Sequence, residues 1–213
     1  MHFLQRLIAW AMSRPGIYER TQLLLGSAHS HELFVKDFVR PSHDFTVLDL
    51  GCGVGSGLLH MVPARYFGVD LDAGYIERAK AKFGDRATFI QGDVSKIKLP
   101  DDVIFSCAVA YGLLHHLNDE QATSMLRLIS KHARGGRFVS IDPVWLKGLH
   151  PVARLLIGLD RGQYVRTEEK YLALLQPFGR VRSIVRTDLL NVPYAHLAMT
   201  LELEQQELYS AGE

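Results

Sequence analysis

The segment Asp-Leu-Gly-Cys-Gly-Val-Gly at residues 49–55 most constrains the fold of this chain of 213 residues. It follows the short apolar run 46–50, which is typical of a buried strand, and it precedes residues 56–62, whose apolar spacing is helical. Glycines between a strand and a helix permit a tight turn and let a ligand approach the backbone closely. The segment therefore predicts the first strand–loop–helix unit of a ligand-binding α/β sheet, although such a turn also serves packing alone in many α/β folds.

Strand and helix patterns alternate through the rest of the chain. Such alternation is typical of βαβ units, in which helices cover both faces of a parallel sheet. An irregular stretch with prolines and glycines at 143–166 interrupts the alternation before the last helix and strands. We predict further strands at 66–70, 88–90, 105–110, 137–142, 181–185 and 197–203, and helices at 73–83, 119–133 and 167–175.

Three acidic residues fall at the carboxyl ends of the first three predicted strands, namely Asp49, Asp70 and Asp93. Open α/β sheets bind ligands at this edge, and an acid in the place of Asp70 accepts hydrogen bonds from ribose hydroxyls. Asp72 is the better N-cap for the helix that begins at Ala73, which leaves Asp70 for a ligand. The alternative is that Asp70 is a solvated loop acid.

The glycine pattern departs from the fingerprints of two common nucleotide sites. Counted from Gly51, the sixth position of G-x-G-x-x-G is Ser56, and no Gly-Lys-Ser/Thr follows for a phosphate loop. Asp49 lies just ahead of the loop, where it disfavours a pyrophosphate. A ligand that carries an ammonium and a sulfonium fits better, because opposite charges attract strongly in a partly dehydrated cleft.

Five segments follow one another in a further pattern: VLDLGCGVG from residue 47, YFGVDLDAGYIERAK from 66, FIQGDV from 89, CAVAYGLLHHLND from 107 and RGGRF from 134. Over residues 47–142 they resemble the motifs of the class I S-adenosylmethionine-dependent methyltransferases. The resemblance implies S-adenosyl-L-methionine as cofactor and S-adenosyl-L-homocysteine as product. Two departures are Ser106, where relatives often have Asp, and the lack of Lys-Pro before the glycines of the last segment.

The resemblance also implies an architecture, a Rossmann-like doubly wound sheet of seven strands in the order 3-2-1-4-5-7-6 with strand 7 antiparallel. N-terminal helices and a lid insertion before strand 6 complete it. We expect one domain over residues 1–213, a length that suits a single α/β unit. Its parts are an N-terminal helical cap at 1–45, a cofactor-binding core at 46–142, and the acceptor lid with the closing strands at 143–213.

The resemblance assigns cofactor contacts to particular positions. The region of Asp49 and Gly51 holds the methionine end and Asp70 the ribose. Asp93 faces the adenine amino group and Val94 offers its backbone N–H. The remaining expected contacts are Gly53, Leu71, Ala110 and Tyr111.

Methyl transfer is an in-line displacement in which the protein mainly positions the nucleophile. His115 and His116 follow the fourth strand and are the candidates for a general base, the alternative being that one caps a helix and the other packs beneath the cleft. Arg161 and Arg166 are candidates for clamping an anionic group of the acceptor, the alternative being surface ion pairs with Glu168 and Glu169. The predicted acceptor-binding residues are Tyr18, His150, Arg161, Tyr164, Arg166 and Tyr194.

Charge and cysteine content limit the classes of acceptor and the cellular compartments that fit this chain. The formal net charge of +1 gives no global attraction to nucleic acid, and the Asn/Asp-Pro-Pro-Tyr/Phe motif of base methylation does not follow strand four. We therefore expect methylation of an O or N atom of a small-molecule acceptor and no nucleic acid partner. Two cysteines without a disulfide framework, no membrane-length apolar run and no cleavable signal predict a cytoplasmic protein without a membrane span. No metal-ligand spacing is present, which predicts no metal, and the oligomeric state stays open.

Two other functions are compatible with parts of this pattern. An NAD-dependent oxidoreductase shares the early βαβ architecture, but Ser56 and Asp49 argue against it, as does the lack of a Ser/Tyr-x-x-x-Lys arrangement. A catalytically degenerate partner subunit would use its N-terminal helix and residues 144–159 for docking or for lying on a membrane surface. The acids at positions 49, 70 and 93 favour retained cofactor binding.

Overall fold

The structure is a computed structural model. It describes residues 27–42, 44–100, 103–133, 135–160 and 162–203. Tyr18 and Arg161, two of the predicted acceptor-binding residues, lie outside the described residues, as does most of the predicted N-terminal cap.

Helices and strands alternate as the sequence predicts. The α-helices are α1 (Ser27–Phe34), α2 (Ala73–Phe83), α3 (Asp119–His132), α4 (Pro151–Leu159) and α5 (Glu168–Leu175). The strands are β1 (Thr46–Leu50), β2 (Arg65–Asp70), β3 (Thr88–Gln91), β4 (Cys107–Tyr111), β5 (Arg137–Trp145), β6 (Arg166–Thr167), β7 (Gly179–Arg186) and β8 (His196–Leu203).

The main sheet has the strand order β3-β2-β1-β4-β5-β8-β7, and the short β6 pairs with β5 off this path. Strands β1 to β5 pair in parallel, whereas β8 is antiparallel to both of its neighbours. With the two-residue β6 set aside, β7 and β8 are the predicted sixth and seventh strands. The predicted Rossmann-like fold class, strand order and antiparallel last strand are therefore confirmed.

Side chains of β1 alternate between two hydrophobic cores, as the period of a strand requires. Leu48 and Leu50 join the core that contains α3 and α5, whereas Val47 joins the core that contains α1 and α2. Asp49 lies between Leu48 and Leu50 in the strand, so its side chain points toward the face that α1 covers. The sheet thus buries Asp49 beneath a helix, next to the glycine segment.

Helix boundaries follow local signals in the sequence. Asn118 caps α3 with a complete capping box, because its side chain and that of Gln121 each accept a backbone N–H of the other residue. Asp72 caps α2 by accepting the N–H of Tyr75, as predicted. Other stretches differ in kind from the prediction. Residues 143–166, predicted as an irregular stretch, contain the helix α4. The predicted helix at 56–62 is a short 3₁₀ helix at Ser56–His60.

Strand β5 extends past its predicted end at 142 to Trp145. Its extra residues pair with other strands, since Pro143 lies opposite His196 and Val144 lies opposite Arg166. The hydrophobic periodicity of the sequence does not show this pairing. The extension brings Asp142 into the interior of the strand, where it is fully buried.

Candidate active site

The glycine segment turns sharply between β1 and the 3₁₀ helix. Gly53 has φ of 53° and its N–H donates to Oδ2 of Asp70 over 2.8 Å. A Cβ added at Gly53 would meet no atom within 4 Å, so the backbone is open to a ligand at this point. Gly55, at φ of 76°, is needed for packing, since a Cβ there would lie 2.8 Å from the Phe83 ring.

The Asp70 carboxylate joins the glycine segment to the start of α2. Its Oδ2 accepts from Gly53, and its Oδ1 accepts the N–H of Asp72 over 2.9 Å. Each oxygen has further lone pairs, because an ionised carboxylate offers about four acceptor sites. The position suits a ligand with two neighbouring hydroxyls. The adjacent Leu71 side chain is 70% exposed beside it.

Asp49 is buried in the cleft and accepts a short hydrogen bond from the Tyr66 hydroxyl. Burial raises the pKa of the Asp49 carboxyl to about 7, the Tyr66 hydrogen bond opposes this rise, and the charge of Asp70 adds to it. A buried carboxylate that ionises with difficulty is a favourable partner for a cationic ligand group.

Helix α1 closes the cleft above Asp49. The His31 ring stacks on the Tyr111 ring with centroids 3.8 Å apart, and the Ser30 hydroxyl lies 2.5 Å from the Tyr111 hydroxyl. His31 and Tyr111 line a cavity of about 20 Å³ together with Asp49 and Gly51. Sequence reasoning predicted Tyr111 but missed Ser30 and His31, because a helical pattern does not show which strand end the helix covers.

The third strand end is organised by its own loop. Asp93 Oδ1 accepts the N–H of Ser95 over 2.9 Å and the Ser95 hydroxyl over 2.6 Å. These hydrogen bonds lower the pKa of Asp93, so the side chain is ionised at neutral pH. Val94 is buried next to it, and Ala110 is buried at the end of β4. The predicted cofactor-binding residues therefore lie along one edge of the sheet.

His115 lies buried between two carboxylates. Its Nδ1 is 2.8 Å from Oδ1 of Asp142, and its Nε2 is 3.2 Å from Oδ1 of Asp160. Burial by itself lowers the pKa of His115, but the hydrogen bonds to both carboxylates outweigh burial and raise the pKa to about 9. A protonated imidazole cannot accept a proton, so this geometry disfavours His115 as a general base at neutral pH. His116 is exposed, and its ring centroid is 4.1 Å from that of His115.

The predicted lid packs directly on this histidine. A Cβ added to Gly162 would lie 1.9 Å from Cδ2 of His115, and the N–H of Tyr164 donates to the His115 carbonyl. The Tyr164 side chain is 38% exposed. Asp160 Oδ1 also accepts the N–H of Gly162 over 2.7 Å. The turn after β4 and the loop after α4 are therefore one packed unit.

The Arg166 guanidinium is buried and bonded to protein groups. It donates to the carbonyls of Leu114, Leu117 and Tyr164, and it pairs with Asp119 over 2.7 Å. Such a guanidinium has few donors left for an acceptor, because it carries five N–H groups in all. The geometry favours the ion-pair alternative for Arg166, with Asp119 as the partner in place of the expected Glu168 and Glu169.

Two of the predicted acceptor-binding residues, His150 and Tyr194, line a second cavity of about 340 Å³. His150 also caps α4, because its Nδ1 accepts the N–H of Val152. The Tyr194 hydroxyl lies 3.4 Å from Oδ2 of Asp160, the residue that pairs with His115, so the cavity lies next to that histidine. Lys147 and Thr187 line the cavity as well and were not predicted, since neither belongs to a motif.

The strand order and the antiparallel β8 are those of the Rossmann-like fold that methyltransferases share. Comparison with known families supports the same class, since residues 47–136 match the model of a family described as a methyltransferase domain. Residues 47–136 are therefore a methyltransferase domain, which supports the predicted S-adenosylmethionine-dependent activity and S-adenosyl-L-methionine as the cofactor. No curated protein sequence matches the chain.

Solved structures of methyltransferases share the fold. One is a complex between the Trm112 methyltransferase activator of Haloferax volcanii and a methyltransferase, with a TM-score of 0.67, 17% identity and coverage of 92% of this chain and 97% of that chain. Magnesium protoporphyrin IX methyltransferase from Synechocystis with bound S-adenosylhomocysteine has a TM-score of 0.62 and 20% identity, covering 83% of this chain and 84% of that chain. A TehB-like methyltransferase from Corynebacterium glutamicum has a TM-score of 0.59 and 17% identity, covering 82% and 88%.

Proposed function

We propose that the protein transfers the methyl group of S-adenosylmethionine to an O or N atom of a small-molecule acceptor that bears an anionic group. The cavity of about 340 Å³ carries this proposal, because its volume is in the range of small-ligand pockets. Leu146, Leu149 and Pro193 give it apolar walls, while Lys147 and His150 supply polar and cationic groups. This mixture favours an organic acid over a polymer.

The residues around the glycine segment fit the cofactor by their chemistry. The buried Asp49 carboxylate is a partner for an ammonium group, and Asp70 is a partner for the two ribose hydroxyls. The backbone at Gly53 leaves room for close approach. We assign the adenine end to Asp93 and Val94, with Gly51, Leu71, Ala110 and Tyr111 as further contacts.

The mechanism needs little acid–base chemistry from the protein. When bound, the cofactor supplies an electrophilic methyl carbon on a sulfonium. The chain orients the acceptor lone pair toward that carbon and excludes water, and orientation alone accounts for much of the rate. Because His115 is held between two carboxylates, we assign any proton acceptance to the exposed His116 or to water.

Cellular location belongs to the same proposal. In the part of the chain that the structure describes, no helix is long and apolar enough to cross a bilayer. Cys52 and Cys107 are both unpaired and buried, which supports a reducing compartment. We therefore place the activity in the cytoplasm.

The first test is calorimetric titration with S-adenosylmethionine, S-adenosylhomocysteine and NADH. We expect micromolar binding of both sulfur nucleotides and no binding of NADH. Binding of NADH alone would overturn the assignment of the cleft to this cofactor.

The second test addresses the acceptor. Small hydroxyl- and amine-bearing carboxylic acids are compared with their neutral amides, with release of S-adenosylhomocysteine as the readout. We expect turnover of the acids with lower KM, and we expect Lys147→Ala to reduce that preference while Lys98→Ala, an exposed lysine outside the cavity, leaves it unchanged. Equal turnover of acids and amides would contradict the anionic acceptor.

A further inference from the structure

A cluster of three metal-ligating side chains lies where the lid packs on the turn after β4, apart from the residues assigned to the cofactor. His115, His116 and Asp160 each offer one ligand atom, and these atoms all lie within 4.8 Å of one another. The turn after β4 supplies the two histidines and the end of α4 supplies the aspartate. The spacing along the chain does not show this cluster, because two separate elements form it.

A fully buried carboxylate orients the first ligand. Asp142 Oδ1 lies 2.8 Å from His115 Nδ1 and also accepts the backbone N–H of His115 over 3.1 Å. This pairing fixes the imidazole so that Nε2 faces Asp160. Histidines that bind metals usually donate their other ring N–H to a carboxylate in this way, which fixes the tautomer and raises the basicity of the ligand.

The second and third ligands are also placed for coordination. Asp160 Oδ1 is 3.2 Å from His115 Nε2, close to the separation of about 3.3–3.5 Å that donors have around a tetrahedral zinc with bonds of about 2.0–2.1 Å. The Gly162 N–H holds the Asp160 carboxylate, as a supporting hydrogen bond does in metal sites. The exposed His116 offers its ligand atom within 4.8 Å of the other two, and it acts as a proton acceptor only when no metal is bound.

We propose that His115 Nε2, His116 and Asp160 bind one Zn²⁺ ion, which joins the loop after α4 to the turn after β4. Two imidazoles and one carboxylate match the ligand preference of zinc, whereas Mg²⁺ prefers sites made of oxygen ligands alone. The solvent-exposed side of His116 leaves a fourth position for water. Binding displaces the proton that lies between His115 and Asp160, so the ion replaces a hydrogen-bonded pair with direct coordination.

The test is titration of chelator-treated full-length protein with Zn²⁺, with Mg²⁺ as a second probe and no cofactor present. We expect one Zn²⁺ per chain and no Mg²⁺ binding, and we expect added Co²⁺ to give the visible absorption bands of a four-coordinate ion. Failure of the methyltransfer assays would leave this result unaffected, since neither cofactor nor acceptor enters the measurement.

Variants identify the ligands. We expect His116→Ala and Asp160→Asn to abolish the stoichiometric site, and Asp142→Asn to weaken it about 10- to 100-fold. His29→Ala removes an exposed histidine outside the cluster and should bind as the wild type does. Circular dichroism checks folding, and His116→Ala is the decisive variant because its side chain is on the surface. The absence of Zn²⁺ binding, or unchanged affinity in His116→Ala, would overturn the proposal and leave an ion pair only.

Discussion

At the residue scale, Asp70 contributes through geometry that is already assembled. Its carboxylate holds the glycine segment at Gly53 and the start of α2 at Asp72. A ligand with two hydroxyls therefore meets a carboxylate that is already oriented. Preorganisation of this kind reduces the entropic cost of association.

Asp70→Ala tests this role. We expect a loss of about 1.5–3 kcal/mol in the free energy of cofactor binding, because hydrogen bonds to a charged group are lost. Calorimetry with S-adenosylhomocysteine measures the change. Asp72→Ala is the matched control, since it removes only the cap of α2 and should cost about 1 kcal/mol of stability with little change in affinity. Unchanged affinity in Asp70→Ala would refute the ribose assignment.

The raised pKa of Asp49 predicts how the affinity for the cofactor depends on pH. Its pKa is about 7 in the free protein because the carboxyl is buried, and only the ionised form attracts an ammonium group. Affinity should rise about tenfold from pH 6 to pH 8, since the protonated fraction falls over that range. Calorimetry across this interval provides the measurement. An equally steep rise in Asp49→Asn would assign the titration to another group.

At the scale of elements, Arg166 connects β6 to the turn between β4 and α3. We expect Arg166→Ala to lower the free energy of unfolding by about 2–4 kcal/mol, because the carbonyls of Leu114 and Leu117 lose their partner. Urea unfolding without ligand gives the value. Arg154→Ala, an exposed change on α4, should stay within about 0.5 kcal/mol of the wild type. A wild-type stability in Arg166→Ala would restore the interpretation of this residue as an acceptor clamp.

Gly162 determines how closely the lid approaches His115. A Cβ in this place lies 1.9 Å from the ring and 2.8 Å from the His115 carbonyl, so Gly162→Ala should separate the two elements and cost about 1–3 kcal/mol of stability. Thermal unfolding measures the loss. Gly158→Ala is the control on α4, where a Cβ meets no atom within 4 Å and a gain of about 0.5–1 kcal/mol is expected. Equal stabilities for both variants would show that the contact is dispensable.

At the scale of the whole molecule, the burial of Asp49 lowers the folding stability of the ligand-free protein at neutral and higher pH. Its folded pKa of about 7 exceeds the ordinary 3.8, so the folded state retains the proton longer than the unfolded state does. The associated stability is present below pH 3.8 and is lost as the pH rises through 7. Above pH 7 the buried carboxylate is ionised, which lowers the free energy of unfolding. The same negative charge attracts a cationic group of a ligand.

Asp49→Asn should therefore stabilise the ligand-free protein by about 1–3 kcal/mol at pH 8 and by almost nothing near pH 4. The same variant should bind the cofactor more weakly, because the amide carries no charge. Measurements of unfolding and of S-adenosylhomocysteine binding at both pH values test whether stability rises while affinity falls. A destabilised variant at pH 8 would mean that the Tyr66 hydrogen bond outweighs the cost of burial.

The alternation of strands and helices, the turn at the glycine segment and the place of the acids at the strand ends can be predicted from the amino-acid sequence alone. These features depend on neighbours only a few residues apart, such as the cap of α2 by Asp72 or the positive φ at Gly53. The match of residues 47–136 to a methyltransferase domain agrees with the prediction made from these features. Local patterns were therefore sufficient for the fold class, whereas the cofactor was predicted from the resemblance of the five motifs to methyltransferases.

The residues that surround those motifs are visible only in the folded chain. The pairing of His115 with Asp142 spans 27 positions, the bond from Arg166 to Leu114 spans 52, and the contact between Ser30 and Tyr111 spans 81. No periodicity encodes such contacts, because they depend on how the sheet brings separate loops together. For the same reason the histidines expected to act as bases, and the arginine expected to bind an anion, acquired protein partners that only packing could reveal.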